Sequence, residues 1–208
     1  MSIKDRKERE TARLRHKILN AALRVFAKQG YDKVSMRKIA ALIDYSPTTI
    51  YRFFKNKEEL LQTIAARTYG DLSAKFEQVK AEGEDDPLGT LKALVREYMI
   101  FCVEHPDMFR LFSDIASFEL EDGIMYERLG GNRNMVYQSW FGCIRLSIKS
   151  GGLEINDDVR VFLYLWDAVN GYIDHRIKHA LVSRKPLADD SVEYLSLVFR
   201  GIEMKKDK

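Results

Sequence analysis

The sequence predicts an all-α protein. Apolar residues recur at three- and four-residue spacing along most of the 208-residue chain, whereas the strict alternation of a half-buried strand is scarce. Glycine and proline separate the helical stretches, for example at Gly30, Pro87 and Gly151. Hydrophobic residues make up 46% of the chain, which is enough for a substantial core of helices packed on one another.

Two short helices joined by a tight turn are predicted between Ser35 and Phe54. Ser35 is suited to cap the first helix, and Ser46 followed by Pro47 is suited to begin the second. Asp44 lies in the turn, where its side chain tolerates a left-handed backbone better than most. This pattern indicates a helix-turn-helix, which places its second helix in the major groove of DNA.

The second helix keeps one face polar, aromatic and basic. Thr48, Tyr51 and Arg52 share this face because they lie three and four residues apart. Hydroxyl groups and a guanidinium suit phosphate oxygens and base edges, so this face is expected to meet DNA. The side chains expected to point inward are Ile50, Phe53 and Phe54.

A further helix is predicted directly after this motif. Asn56 and Glu59 have the spacing of a capping pair, so the helix should begin at Lys57 and run to about Lys80. A cation in the first turn opposes the helix dipole. Contact with a phosphate would explain Lys57, and solvation alone would also suffice.

The charge distribution supports a nucleic-acid partner. The chain has 34 Lys and Arg against 31 Asp and Glu, a net charge of +3. Residues 1–60 hold 15 basic and 7 acidic side chains, a net charge of +8, which leaves −5 for the rest. The basic N-terminal run could be only a solvated arm, but beside a helix-turn-helix the DNA-binding interpretation is the stronger one.

An ordered pattern extends over about a quarter of the chain: Ile18-Leu19-x-Ala21-Ala22-x3-Phe26-x3-Gly30-Tyr31-x3-Ser35-Met36-Arg37-x-Ile39-Ala40, then Thr49-Ile50-Tyr51-x-Phe53-Phe54-x-Asn56-Lys57-Glu58-x-Leu60. It resembles the DNA-binding domain of the TetR family of transcriptional regulators. The chain departs from that family in the turn, where Asp44 replaces the usual glycine, and at Thr48, where glycine is common.

The resemblance implies roles for individual residues. Tyr51 and Lys57 match positions that usually bind phosphates, Arg37 matches a backbone contact, and Thr49 lies near bases or backbone. Tyr45 is left open between DNA contact and packing under the turn. The residues expected to bind DNA are Ser35, Arg37, Tyr45, Ser46, Thr48, Thr49, Tyr51, Arg52, Lys55 and Lys57.

Residues 1–56 are therefore expected to form the DNA-binding domain, and residues 57–208 an effector-binding and dimerisation domain. The last two helices are apolar on more than one face, so one stripe can pack inside while the other needs a partner. TetR-like proteins pair such helices into a four-helix bundle across a two-fold axis; the alternative is a single-chain core that covers both faces. The expected interface residues are Phe162, Trp166, Val169, Ile173, Leu195, Val198, Phe199 and Ile202.

Aromatic and methionine residues are frequent in the second domain. Most must be ordinary core, but together they could line an apolar cavity for a moderately hydrophobic small molecule. The candidate ligand-binding residues are Tyr98, Phe101, Met108, Phe112, Tyr137, Trp140, Phe141, Trp166 and Asn170.

Other functional classes find little support in the sequence. His175 and His179 have metal-ligand spacing, but no further ligand obviously converges, so neither metal nor cofactor is expected. The chain lacks a phosphate loop and a nucleophile elbow, which argues against an enzyme. Cys102 and Cys143 lie in apolar stretches, and neither a signal peptide nor a membrane span is evident, so a cytoplasmic protein is expected.

Together these features predict a homodimeric DNA-binding regulator, a repressor released from a palindromic operator by a small ligand. The alternatives are a DNA-binding regulator or architectural protein without an effector, and a metal-responsive regulator.

Overall fold

The computed structural model describes residues 3–83, 85–115, 118–121, 124–127, 132–179 and 187–203, with side chains described over 4–83, 85–113, 136–179 and 189–203. Its contacts group the chain into two compact units. The first, called the head unit below, takes in Met1–Thr68 and Asp107–Ser117. The second, called the body unit, takes in Tyr69–Pro106 and Phe118–Lys208.

The head unit is built on a long first helix. Helix α1 spans Ile3–Gln29 and ends where Gly30 adopts a φ of 83°, a backbone conformation that favours glycine. The short helices α2 (Met36–Leu42) and α3 (Pro47–Tyr51) follow, then the start of α4 (Lys57–Glu82), and later α6 (Pro106–Ile115). The core side chains of this unit include Ile18, Ala22, Phe26, Ile39, Ala40, Ile50, Phe54 and Leu60.

The body unit continues α4 and adds α5 (Pro87–Glu104), α7 (Asn132–Lys149), α8 (Asp158–Lys178) and α9 (Leu187–Arg200). Helix α5 packs against α7, α8 and α9, so it is the central helix expected from its apolar sequence. Asp86 caps α5 by accepting from the Gly89 amide, and Asp157 caps α8 by accepting from the Arg160 amide.

A short hairpin is the one strand element among the described residues. Strands β1 (Phe118–Glu121) and β2 (Ile124–Glu127) pair antiparallel, with Phe118 opposite Glu127. The all-α prediction is confirmed for the fold as a whole but missed this element. The intervening Asp122-Gly123 dipeptide is a strong hairpin signal in sequence.

The predicted domain boundary at residue 57 coincides with the start of α4. The contact-based grouping instead divides α4 after Thr68 and adds most of α6 to the head unit. Contacts within the folded chain do not show which parts fold independently. The division into residues 1–56 and 57–208 therefore stays a prediction.

Candidate DNA-binding site

The turn between α2 and α3 has the geometry that its sequence predicts. Ser35 caps α2 by accepting from the Lys38 amide at 3.3 Å. Asp44 takes the left-handed conformation with a φ of 61°, and the Tyr45 and Asp44 amides donate to Ala40 and Ala41 carbonyls at 3.0 and 3.3 Å. These two bonds form a Schellman motif, which ends α2 sharply and sets the direction of α3.

Helix α3 is held at its start by a cap and beneath by its apolar side chains. The Ser46 hydroxyl accepts from the Thr49 amide at 3.2 Å, and its oxygen lies 2.9 Å from the Thr49 hydroxyl oxygen. Ile50 and Phe54 are fully buried, as expected. Phe53 was expected to point inward as well, but it is only half-buried because it lines the surface facing α1.

The outer face of α3 remains open to solvent. Thr48 and Arg52 are exposed, and Tyr51 is 52% exposed. Tyr45 is 41% exposed, which disfavours the alternative in which it packs under the turn. Ser35, Arg37, Ser46 and Lys55 are exposed too, whereas Thr49 and Lys57 are half-buried.

Two lysines hold this surface in place from neighbouring elements. The Lys17 ammonium donates to the Ile43 carbonyl at 3.1 Å and lies 5.2 Å from the centre of the Tyr45 ring. A hydrogen bond from a charged donor and a cation–π contact therefore tie α1 to the turn before α3. Sequence reasoning missed Lys17, because its partners lie 26 and 28 residues further along the chain.

The Lys57 ammonium makes the same pair of contacts with the loop after α1. It donates to the Tyr31 carbonyl at 2.8 Å and lies 4.0 Å from the centre of the Tyr31 ring. Burial, with smaller contributions from Glu58 and Asp32, raises the pKa of the Tyr31 hydroxyl. The cation at the start of α4 thus has partners within the protein, so a phosphate is not needed to explain it.

Asn56 and Glu59 form the predicted capping pair, except that the Glu59 carboxylate binds the amide one residue earlier in the chain than expected. The Glu59 amide donates to the Asn56 side-chain oxygen at 2.7 Å, as the spacing predicts. Its carboxylate accepts from the Lys55 amide at 2.6 Å rather than from that of Asn56. Lys55 keeps its own side chain exposed beside the α3 surface.

In the body unit, most of the predicted ligand-binding residues form a packed aromatic cluster. The Phe141 and Phe162 rings stack with centroids 4.5 Å apart, and Tyr98 meets Trp140 edge-on at 5.5 Å. The Tyr98 hydroxyl donates to the Asn170 side-chain oxygen at 3.3 Å. Tyr98, Phe101, Tyr137, Trp140 and Phe141 are buried, and Trp166 and Asn170 are half-buried.

The remaining two candidate ligand residues, Met108 and Phe112, are buried side chains of α6. Within the part of the chain that is described, the Trp140 indole nitrogen is buried without a hydrogen-bond acceptor. An unpaired buried donor of this kind is one that a ligand could satisfy.

An open groove of about 420 Å³ in the body unit was not anticipated from the sequence. It lies among the end of α4, the start of α5 and α7, and Lys80, Thr90, Cys143 and Leu146 are among its lining residues. Burial raises the pKa of the Cys143 thiol, and nearby Lys80 lowers it to a smaller extent.

The expected dimer-interface residues differ in how far they are exposed, and the interface itself stays a prediction. Six of the eight are buried within the chain itself, so they belong to its own core: Phe162, Val169, Ile173, Leu195, Phe199 and Ile202. Trp166 and Val198 are half-buried. The exposed apolar side chains on the same helices are instead Leu163, Tyr164, Val192 and Leu197, which are 39%, 54%, 52% and 64% exposed.

The described residues carry little else that suggests a site of another class. The His175 and His179 rings lie 4.7 Å apart, but no group of three His, Cys, Asp or Glu side chains that could hold a metal occurs among the residues described. None of the described helices is long and apolar enough to cross a membrane.

Comparison with known proteins agrees with the geometry of the head unit. Residues 18–64 match the family described as bacterial regulatory proteins, tetR family. The HTH-type transcriptional repressor NicS of Pseudomonas putida is 28% identical over 177 residues, which cover 82% of this chain and 80% of NicS.

Solved structures share the fold over nearly the whole chain. The ketosteroid transcriptional regulator KstR2 of Mycobacterium tuberculosis superposes with a TM-score of 0.68 and 18% identity, covering 92% of this chain and 95% of KstR2. The regulator FadR of Bacillus subtilis, solved in complex with stearoyl-CoA, gives 0.61 and 18% identity over 90% and 98%. The helix-turn-helix is thus similar in sequence to the tetR family of bacterial regulatory proteins, and the chain as a whole has the fold of these solved regulators.

Proposed function

We propose that this protein is a sequence-specific transcriptional repressor that binds a palindromic operator as a homodimer and is released by a moderately hydrophobic ligand. The observation that carries the proposal is the open face of α3, with Thr48, Tyr51 and Arg52 exposed on a helix fixed by its cap and its buried side chains. A rigid helix with such a face can read base edges in the major groove. The repressor NicS supports the sign of regulation.

The proposed DNA-binding residues differ in whether their side chains already form hydrogen bonds within the protein. Arg52 and Thr48 would read bases, whereas Tyr51, Arg37 and Lys55 would contact phosphates. Ser35, Ser46 and Thr49 already use their hydroxyl groups within the helix caps, so their contribution is to hold the surface. Lys57 is proposed to act in the same way, through Tyr31.

The proposed interface lies on the exposed apolar side chains of α8 and α9. The two helices run antiparallel, because Arg176 pairs with Asp190 at 3.2 Å while the Tyr194 hydroxyl donates to the Ala168 carbonyl at 2.8 Å. Leu163 and Tyr164 therefore lie toward the same end as Leu197. Pairing this patch with its copy would form a four-helix bundle about a two-fold axis. Two heads on one palindrome bind far more tightly than one.

The proposed ligand site is the aromatic cluster around Trp140 in the body unit. Its ring faces suit an aromatic or acyl compound, and the indole nitrogen, which has no acceptor among the described residues, could donate to a carbonyl or carboxylate on it. FadR was solved in complex with stearoyl-CoA, and KstR2 is named as a ketosteroid regulator. Both of these compounds are also largely hydrophobic. The chain passes from one unit to the other at three points, after Thr68, after Pro106 and after Ser117. A change in the body unit on ligand binding could reach the head unit through these three connections.

Release from DNA would then be a shift of population between two conformations. A ligand that favours the conformation with misplaced heads can lower operator affinity at most by the ratio of its affinities for the two conformations. Thermal-shift screening of acyl and aromatic compounds, followed by operator release for each hit, tests this step. Hits that stabilise the protein and leave DNA affinity unchanged would refute the coupling.

The experiment that tests the DNA-binding function is a selection of genomic fragments by the purified protein, followed by affinity measurements on the recovered duplex. Arg52→Gln should lose discrimination between this duplex and a scrambled one by about 10- to 100-fold, the effect of one base contact. Lys28→Gln, which removes an equal charge from the far end of α1, should keep it. A wild-type protein that recovers no sequence and shows no salt-dependent binding would refute the function.

A further inference from the structure

The first three turns of α1 are helical although they contribute nothing to the core of the protomer. Every side chain from residue 4 to residue 13 is exposed, and burial on α1 begins only at Leu14. A polar helical segment gains little from packing, and here its charged side chains face solvent. Five of its side chains are basic: Lys4, Arg6, Lys7, Arg9 and Arg13.

This segment borders the recognition helix directly. A single open groove in the head unit is lined on one side by Lys7, Arg13 and Lys17 of α1. Its other side is formed by Thr49 of α3 and by Arg52, which directly follows α3, with Tyr45 and Phe53 next to them. The exposed cations of α1 and the proposed base-reading side chain of Arg52 therefore lie on one continuous surface.

The charge of this groove is strongly positive. Its one carboxylate, Glu10, is paired with Arg6 at 3.1 Å on the same helix. Within the described part of the chain, Lys7 and Arg13 form no ion pair, and both are exposed. Solvated cations beside a recognition helix are the groups that replace counterions on a phosphate backbone.

We propose that the segment of α1 from residue 4 to residue 13 is a second DNA-contacting element, which binds the phosphate backbone next to the groove occupied by α3. The inference rests on the proposed function and extends it. Ten residues of helix span about 15 Å, which corresponds to four or five phosphates along one strand. The segment carries no groups placed for base readout, so it strengthens binding to every duplex alike. The alternative binding partner for such a positively charged segment is an acidic segment of another protein.

The test compares two charge-matched double variants on the operator duplex. Lys7→Gln with Arg13→Gln removes two cations from the groove, while Arg24→Gln with Lys28→Gln removes two from the same helix at least about 16 Å further along its axis. Glutamine has nearly the helix propensity of lysine and arginine, so both variants should fold. Affinity is measured from 50 to 200 mM salt on the operator and on a scrambled duplex.

The Lys7/Arg13 variant should show a salt slope lower by about 1.8 per protomer, since each lost contact removes about 0.9. Over this fourfold salt range, its affinity should therefore change about tenfold less per protomer than that of the wild type. The ratio of operator to scrambled affinity should stay unchanged. The Arg24/Lys28 variant should match the wild type in both respects.

Three outcomes would overturn the inference. If the Lys7/Arg13 variant keeps the wild-type slope, the segment does not contact DNA, and an acidic protein partner becomes the candidate. If both double variants lose slope equally, the effect is one of net charge rather than of a site. A wild type without salt-dependent binding would overturn the proposed function as well. Should the Lys7/Arg13 variant melt early, Lys7→Arg with Arg13→Lys supplies a charge-preserving control.

Discussion

Leu197 is the most exposed of the large apolar side chains on α9, and shortening it should weaken dimerisation without unfolding the protomer. Full burial of a leucine side chain stabilises by ~1.5–3 kcal/mol. Because 64% of Leu197 is exposed, its burial against a second copy should contribute ~1–2 kcal/mol, counted twice across a two-fold axis. Leu197→Ala keeps part of this, so the dimer dissociation constant should rise by about 10- to 100-fold.

The assay pairs sedimentation with thermal unfolding and includes a buried residue of the same helix as its contrast. Phe199 is 1% exposed, so Phe199→Ala removes core packing and should lower the free energy of unfolding by ~3–5 kcal/mol. Leu197→Ala should leave the unfolding of the isolated protomer within ~0.5 kcal/mol of wild type. Operator affinity should fall in parallel with dimerisation, since each head alone makes few contacts.

The reasoning fails if the Leu197→Ala protein sediments as the wild type does over the concentration range in which the wild-type dimer dissociates. It fails equally if the wild type is a monomer that binds its operator tightly. A protein in which Phe199→Ala splits the dimer while the protomer stays folded would show that the buried stripe, rather than the exposed one, forms the interface.

Three further changes test single features of the structure. Asp44→Val should lower the free energy of unfolding by ~1–2 kcal/mol in urea titrations, because a β-branched side chain is strained at a φ of 61°, whereas Asp44→Gly should stay close to wild type. Ser46→Ala should cost ~1 kcal/mol by removing the α3 cap, and Ser46→Asp should retain it on thermal melting. Burial, and then the hydrogen bond to Asp190, raise the pKa of the Tyr172 hydroxyl above its usual value. The stability that Tyr172 contributes is therefore complete below about pH 10 and lost as the pH rises further. Tyr172→Phe should flatten this alkaline loss in urea unfolding midpoints.

Local signals in the sequence were sufficient to predict the head. The caps at Ser35 and Ser46 and the left-handed Asp44 are confirmed, because each depends on a side chain and the backbone within three residues of it. The resemblance to the TetR family, the helical fold and the class of DNA-binding regulator are confirmed as well.

The sequence could not indicate which apolar stripe of α8 faces inward. Phe162, Leu163, Tyr164, Leu165 and Trp166 follow one another without a polar residue, so periodicity alone allows two orientations. Packing against α5 and α7 selects Phe162 and Leu165 for burial and leaves Leu163 and Tyr164 exposed. The choice depends on α5, which ends more than 50 residues before α8 begins, and on α7, the helix directly before α8.

Lys55 and Lys57 are two residues apart and provide a matched test of what a lysine at the start of α4 does. Lys55 is exposed, whereas the Lys57 ammonium is held by the Tyr31 carbonyl and lies over the Tyr31 ring. A charged hydrogen bond together with a partly buried cation–π contact should be worth ~2 kcal/mol.

Lys57→Gln should therefore lower the free energy of unfolding by ~1–2 kcal/mol and weaken operator binding. The salt slope should change little, because a lysine that contacts no phosphate releases no counterions on binding. Lys55→Gln should do the reverse, lowering the slope by about 0.9 per protomer at unchanged stability. Chemical denaturation and salt titration on the same two variants separate the roles. A Lys57→Gln protein of wild-type stability whose slope falls by about one would show that this ammonium binds phosphate and that its contact with Tyr31 gives way when DNA is bound.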